Sequence, residues 1–220
     1  MAQSYFVTGT DTGVGKTWVT LALMRYFSLK GHVVVGMKPV ASGCALVNGR
    51  LKNSDALLLQ EHSSLPLEYH QINPYAYALA VSPHIAGASN PANLQVIQTG
   101  LQSLQALADT VIVEGAGGWY SPLSQKMDNA DLAKTLNLPV ILVVAIRLGC
   151  INQARLSLAA IKLSGVICAG WIAVCNDSNV LMLQANIDFL VAALDSPLLA
   201  VMPCLAELDV TVLAAFITID

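Results

Sequence analysis

At 220 residues the chain is long enough for one sizeable domain around a single core, and its net charge of −3 gives no basis for nucleic-acid binding. With 55% hydrophobic and only 11% charged residues, its surface must lean on uncharged polar side chains or be partly hidden in a subunit interface. The most apolar stretch, Val140–Ile146, is far shorter than the ~20 residues of a membrane-spanning helix, and Met1–Tyr5 has neither the basic nor the apolar region of a secretory signal, so no membrane is expected and a cytoplasmic location is.

In chain order, Tyr5–Gly9 reads as a strand, Lys16–Lys30 as a helix and His32–Met37 as a second strand. Asn53 or Ser54 is placed to cap a helix running through Glu61. Leu94, Ile97, Leu101, Leu104 and Ala108 recur on one face of a helix. Strand Thr110–Glu114, a short helix Ala130–Leu136 and strand Val140–Ile146 follow. Then come helix Ile151–Ser164, strand Ile167–Val174, helix Leu181–Leu194 and strand Leu198–Met202. Beyond Leu208 the pattern suits a helix or a strand equally. Short, continuously apolar strands belong to a sheet buried on both faces, and their alternation with helices makes that sheet mostly parallel. The expectation is one α/β domain over residues 1–220, a mostly parallel sheet with helices on both faces. The five cysteines, at 44, 150, 168, 175 and 204, are odd in number and never spaced Cys-x-x-Cys, which fits reduced thiols better than a disulfide framework or a zinc site.

The segment that carries chemistry is Gly9-Thr-Asp-Thr-Gly-Val-Gly-Lys-Thr17, between a predicted strand and a predicted helix. A triphosphate needs converging backbone N–H groups with no Cβ atoms in the way, a cation to follow the β- and γ-phosphates, and a hydroxyl for Mg²⁺. The glycines, Lys16 and Thr17 supply these in turn, and the helix start adds donors and the positive end of its dipole. Five residues separate Gly9 from Gly15 where the common pattern has four, so the loop is a lengthened variant. The fold type is that of a P-loop nucleoside triphosphatase, with ATP and Mg²⁺ expected.

Together with six further blocks, this loop resembles the dethiobiotin synthase family. The blocks are MKPVASG (37–43), NSDALLLQ (53–60), NPYAY (73–77), SPHIA (82–86), VEGAGGW (113–119) and PVILVVAIRLGCIN (139–152), and they cover most of the chain. The resemblance implies a homodimeric ligase of biotin biosynthesis. It would take 7,8-diaminopelargonate, CO₂ and MgATP to dethiobiotin, ADP and phosphate, through a carbamate and a carbamic–phosphoric anhydride.

That resemblance can be set beside the residues. Lys38, at the end of a predicted strand and before Pro39, falls on the same rim as the phosphate loop. In the family the matching lysine contacts the diamine and its carbamate, and a fixed cation there disfavours a protonated amine while stabilising the carbamate anion. Lys38 and Lys16 are the expected catalytic residues, with Thr12, Gly13, Val14, Gly15 and Thr17 completing the phosphate site. Thr17, Asp55 and Glu114 are the expected Mg²⁺ ligands, all hard oxygen donors. Asp55 would also suit the first turn of a helix, where an acid is favourable near the dipole. Ser42 could bind the diamine or carbamate, or be an ordinary turn serine. Gly115, Gly117 and Gly118 permit close backbone approach to γ-phosphate or substrate, and would equally suit a flexible turn.

The turn Leu148-Gly149-Cys150-Ile151-Asn152 is implied to hold the substrate carboxylate of the neighbouring subunit, and the free N–H groups of a helix start suit that task. Cys150 reads as a small residue at a tight junction, since no His stands near it in a nucleophile arrangement. Ser82–Ile85 suits the substrate's aliphatic chain, with His84 structural, and Trp119 reads as packing.

Base recognition departs most from the family. Asn176 stands two positions from where the adenine-contacting Asn is expected, Gly13 replaces a Glu of some relatives, and Cys204 stands where an aromatic is frequent between Pro203 and Leu205. Asn176, Pro203, Leu205 and Glu207 remain the expected base contacts. The alternative readings are an ATPase acting as a nucleotide-dependent dimer switch, which usually carries a further lysine where Thr10–Thr12 stand, and a paralogue that binds nucleotide without turnover.

Overall fold

In the computed structural model, which describes residues 3–219, six strands form one parallel sheet. They are β1 (Gln3–Gly9), β2 (Val34–Met37), β3 (Thr110–Gly118), β4 (Val140–Ala145), β5 (Cys168–Val174) and β6 (Leu198–Met202), in the order β6-β5-β4-β1-β3-β2. Seven helices of more than one turn flank it: α1 (Lys16–Leu29), α2 (Ser54–Glu61), α3 (Leu94–Gln105), α4 (Asn129–Leu136), α5 (Cys150–Leu163), α6 (Leu183–Ala193) and α7 (Val210–Ala214). Strands such as β4, buried at every position, are apolar throughout because both of their faces are covered. Phe6, Ile112, Leu142 and Trp171 are fully buried and run the core across four strands. No helix among the described residues is long and apolar enough to cross a membrane.

The sheet departs from the predicted elements mainly at the site. Glu114, expected at a strand end, lies inside β3, which runs on through Gly118. Four residues with little strand propensity hid that extension. The register against β1 slips there, from Val7 beside Glu114 to Gly9 beside Gly118, so Gly115–Gly117 form a bulge. β2 starts at Val34 rather than His32, and α6 starts at Leu183 rather than Leu181. The undecided tail is helical: the Asp209 side chain accepts the N–H groups of Thr211 and Val212, and α7 packs on α1. Hairpins at 45–52 and 122–128, and one-turn helices at 69–72 and 83–86, were not anticipated, because each is too short to carry a period.

The order places β1 at a topological switch: its successor β2 lies beyond β3 on one side, while β4 adjoins it on the other. Such a switch opens a crevice at the carboxyl ends of the strands.

Candidate active site

A cavity of about 760 Å³ opens at that crevice, and Thr12, Gly13, Gly15, Lys16 and Thr17 form one wall of it. Gly13 and Gly15 have φ of 72° and 95°, left-handed values that Cβ-bearing residues rarely adopt. Val14 turns the other way: it is fully buried and packs against Gly9, where a Cβ would stand 2.5 Å from its Cγ2. Lys16 is 7% exposed, and its Nζ donates to the Asp11 carbonyl at 2.9 Å. Burial, then the nearby charge of Lys38, pulls its ammonium down to about 8 against the opposing pull of Glu114 and Asp55.

The opposite wall is assembled from distant segments. Glu114, wholly buried, accepts from Thr17 Oγ1 at 3.0 Å and from Lys38 Nζ through the same Oε1. Lys38 Nζ also donates to Asp55 Oδ2 at 3.0 Å. Burial alone would lower the Lys38 ammonium, but the carboxylates of Glu114 and Asp55 outweigh it and hold it above its ordinary range. The Lys38 backbone is fixed as well: its N–H donates to Ile72 O at 2.8 Å and its carbonyl accepts from Asn73 Nδ2 at 2.6 Å. Asn53 caps α2 by accepting from Ala56 N, which sets Asp55 in the first turn of that helix at the cavity edge.

Thr17, Asp55 and Glu114 therefore do converge, with Lys38 spanning the two carboxylates. Glu114 Oε2 is buried with no hydrogen-bond partner among the described residues, and so is Ser42 Oγ on the same cavity. Hard oxygens around an unmatched buried carboxylate oxygen fit a Mg²⁺ ion. Among the described residues no three His, Cys, Asp or Glu side chains gather in a way that could hold a metal by themselves.

Gly117 lines the cavity at φ 74°, while Gly115 and Gly118 lie behind it. Ala80–Pro83 give the cavity an apolar side, so the SPHIA block reaches it through Ser82 and Pro83. His84 stays outside, its Nδ1 2.9 Å from Ser82 Oγ. Trp119 is buried edge-on to Phe6, in a packing position.

The expected base contacts do not border this cavity. Asn176 nevertheless reaches the phosphate loop, with Nδ2 3.5 Å from the Gly13 carbonyl, while Pro203, Leu205 and Glu207 follow the end of β6. The 148–152 turn also lies outside the cavity. There Leu148 is fully exposed, Cys150 is fully buried, and Gly149 caps α5 at φ 90°. Arg147, just before the turn, pairs with Asp11 of the phosphate loop at 3.1 Å. Among lining residues the sequence did not single out, Trp18, Leu58 and Ser121 were masked as ordinary helix or turn residues.

A family model described as an AAA domain matches residues 3–211. The ATP-dependent dethiobiotin synthetase BioD of Xanthomonas campestris pv. campestris (strain B100) is 46% identical over 88% of this chain and 88% of its own. BioD 1 of Salmonella typhi is 50% identical over 79% of this chain and 77% of its own. Among solved structures, the septum site-determining protein MinD of Pyrococcus horikoshii superposes with a TM-score of 0.57 at 16% identity, covering 92% of this chain and 82% of that one. The signal recognition particle receptor FtsY of Elizabethkingia anophelis does so at 0.60 and 15%, covering 96% and 61%, and at such identities both show the fold alone. By its identity to curated relatives over most of its length, this chain belongs to the ATP-dependent dethiobiotin synthetase family.

Proposed function

We propose that the cavity converts 7,8-diaminopelargonate, CO₂ and ATP to dethiobiotin, ADP and phosphate, as an ATP-dependent ligase of biotin biosynthesis. The observation that carries this reading is the placement of Lys38 opposite the phosphate loop, on a cavity that also has an apolar side for an aliphatic chain. The family membership of the chain supports it.

Lys38 is held charged by Glu114 and Asp55, so it meets the diamine as a fixed cation. It disfavours protonation of the amine that must take up CO₂, and it stabilises the carbamate that results. A carbamate oxygen attacks the γ-phosphorus in line, breaking its bond to the bridging oxygen and releasing ADP. The second amine then attacks the carbamoyl carbon, phosphate leaves, and the five-membered urea closes. Lys16 and the loop N–H groups receive the charge that develops on the phosphates. Thr17, Asp55 and Glu114 would hold Mg²⁺, which when bound neutralises phosphate oxygens. Ser42 Oγ supplies a hydrogen-bonding hydroxyl on the Lys38 side of the cavity.

The 148–152 turn, exposed at Leu148 and outside the cavity of its own protomer, would receive the substrate carboxylate of a second subunit, making the working unit a homodimer. The expected location of this work is the cytoplasm. The test is direct: incubate the protein with MgATP, bicarbonate and the diamine, and seek dethiobiotin by mass spectrometry. Product that disappears on chelation of Mg²⁺ supports the reading. ATP hydrolysis that ignores the diamine would sink it in favour of a dimer switch.

A further inference from the structure

Where the β-ladder fails beside Glu114, one side chain takes its place. The bulge leaves Gly115–Gly117 without paired partners on β1, and pairing with β2 already ends at Met37 beside Val113. Asn129, the first residue of α4, is wholly buried beneath this segment. Its Nδ2 donates to Ala116 O at 2.8 Å and Gly118 O at 2.7 Å, and its Oδ1 accepts the Ala116 N–H at 3.4 Å. The Gly118 N–H donates in turn to Ser121 Oγ at 2.8 Å. Thus Ala116 and Gly118 have both backbone groups held by side chains. Gly115 makes the approach possible, because a Cβ there would stand 2.9 Å from Asn129 Oδ1.

Only a primary amide offers two N–H donors and an acceptor in this arrangement. Asn129 does not line the cavity, but of the two residues it holds Ala116 does, and so does Gly117, which lies between them; together they form the wall that continues from Glu114. We propose that Asn129 is a positioning residue for the reaction, setting through the backbone of Ala116–Gly118 where Glu114 and Gly117 face the triphosphate. This rests on the reading of the cavity as the ATP site.

Asn129→Asp keeps the shape and the Oδ1 acceptor, and turns two donors into an acceptor facing two carbonyls. The expected result is a kcat per nucleotide-binding site lowered about 10- to 100-fold, the scale of a misplacement near 1 Å, with ATP affinity changed less than about 3-fold. Hydrogen exchange should quicken about 10-fold or more at the Ala116 and Gly118 amides, while β1 and α1 amides keep their protection. A side chain that merely fills space would lower the fraction of folded protein and leave kcat per site alone. Unchanged kcat per site, or unchanged exchange at both amides, overturns the proposal. Should N129D not fold, N129A carries the same measurements, since it removes the amide without setting a charge against the two carbonyls. If the unsubstituted protein makes no dethiobiotin, the proposed function fails, and the exchange measurement still decides whether the clamp exists.

Discussion

The two walls of the cavity are stabilised over very different lengths of chain. On the phosphate-loop side, Lys16 donates to a carbonyl five residues back, and Asp11 accepts the N–H of its neighbour Thr12. On the other side, Thr17 meets Glu114 across 97 positions and Lys38 meets Glu114 across 76. The first wall is a backbone conformation, and glycines with positive φ specify it locally. The second is a set of side-chain meetings, and each requires the sheet to be in place. A loop of the first kind can be recognised wherever it occurs. A wall of the second kind gives a shared scaffold its particular chemistry.

Removing one lysine from each wall tests that contrast most severely. Lys16→Gln should lower kcat/KM for ATP on the order of 10³-fold, at the upper end for a lost charge-stabilising donor, with little change in thermal stability. Lys38→Gln should lower kcat about 10²-fold with diamine saturating. It should also destabilise the fold by about 3 kcal/mol in chemical denaturation, because Glu114 is left buried without its cation. If Lys38→Gln kept near-normal turnover, its assigned role would be wrong. If Lys16→Gln proved the more destabilising of the two, the distinction between the walls would collapse.

A smaller effect follows from Lys16 titrating near 8. The group is charged below that value and neutral above it, and phosphate binds the charged form. Affinity for ATP should therefore fall about 10-fold between pH 7 and pH 9, measured by calorimetry. Lys38, raised in the same site, should contribute no fall over this interval. A pH-independent affinity would show that Lys16 keeps its proton throughout.

The smallest effect is expected at Arg147, whose pairing with Asp11 is half-exposed on both sides. Arg147→Ala should cost under about 1 kcal/mol and leave turnover within about 2-fold, read by melting temperature and steady-state rates. A large loss of turnover there would mean that the phosphate loop leans on the 147–152 turn and is not self-supporting.

Much of this was legible in the residues alone, and the reason differs by region. Strands β1, β4 and β5 and helix α3 could be read because a both-faces-buried strand and an amphipathic helix each impose a pattern on many residues. The bulge after Glu114 could not, since glycines carry no pattern and the amide that holds them comes from Asn129, 11 to 13 residues on. The base contacts were hard to read from the sequence for a related reason: the short turns after β5 and β6 have no periodicity to anchor an assignment.

By itself the sequence determined the sheet's class, the phosphate loop and the family, because these rest on propensities and motifs that act within a few residues. Only the tertiary structure decided that Lys38 bridges Asp55 and Glu114, that Val14 turns inward, and that Asn129 replaces the missing ladder. Burial makes these meetings selective: inside the fold an unmatched charge or amide costs several kcal/mol, so partners far apart in the chain are held to one arrangement.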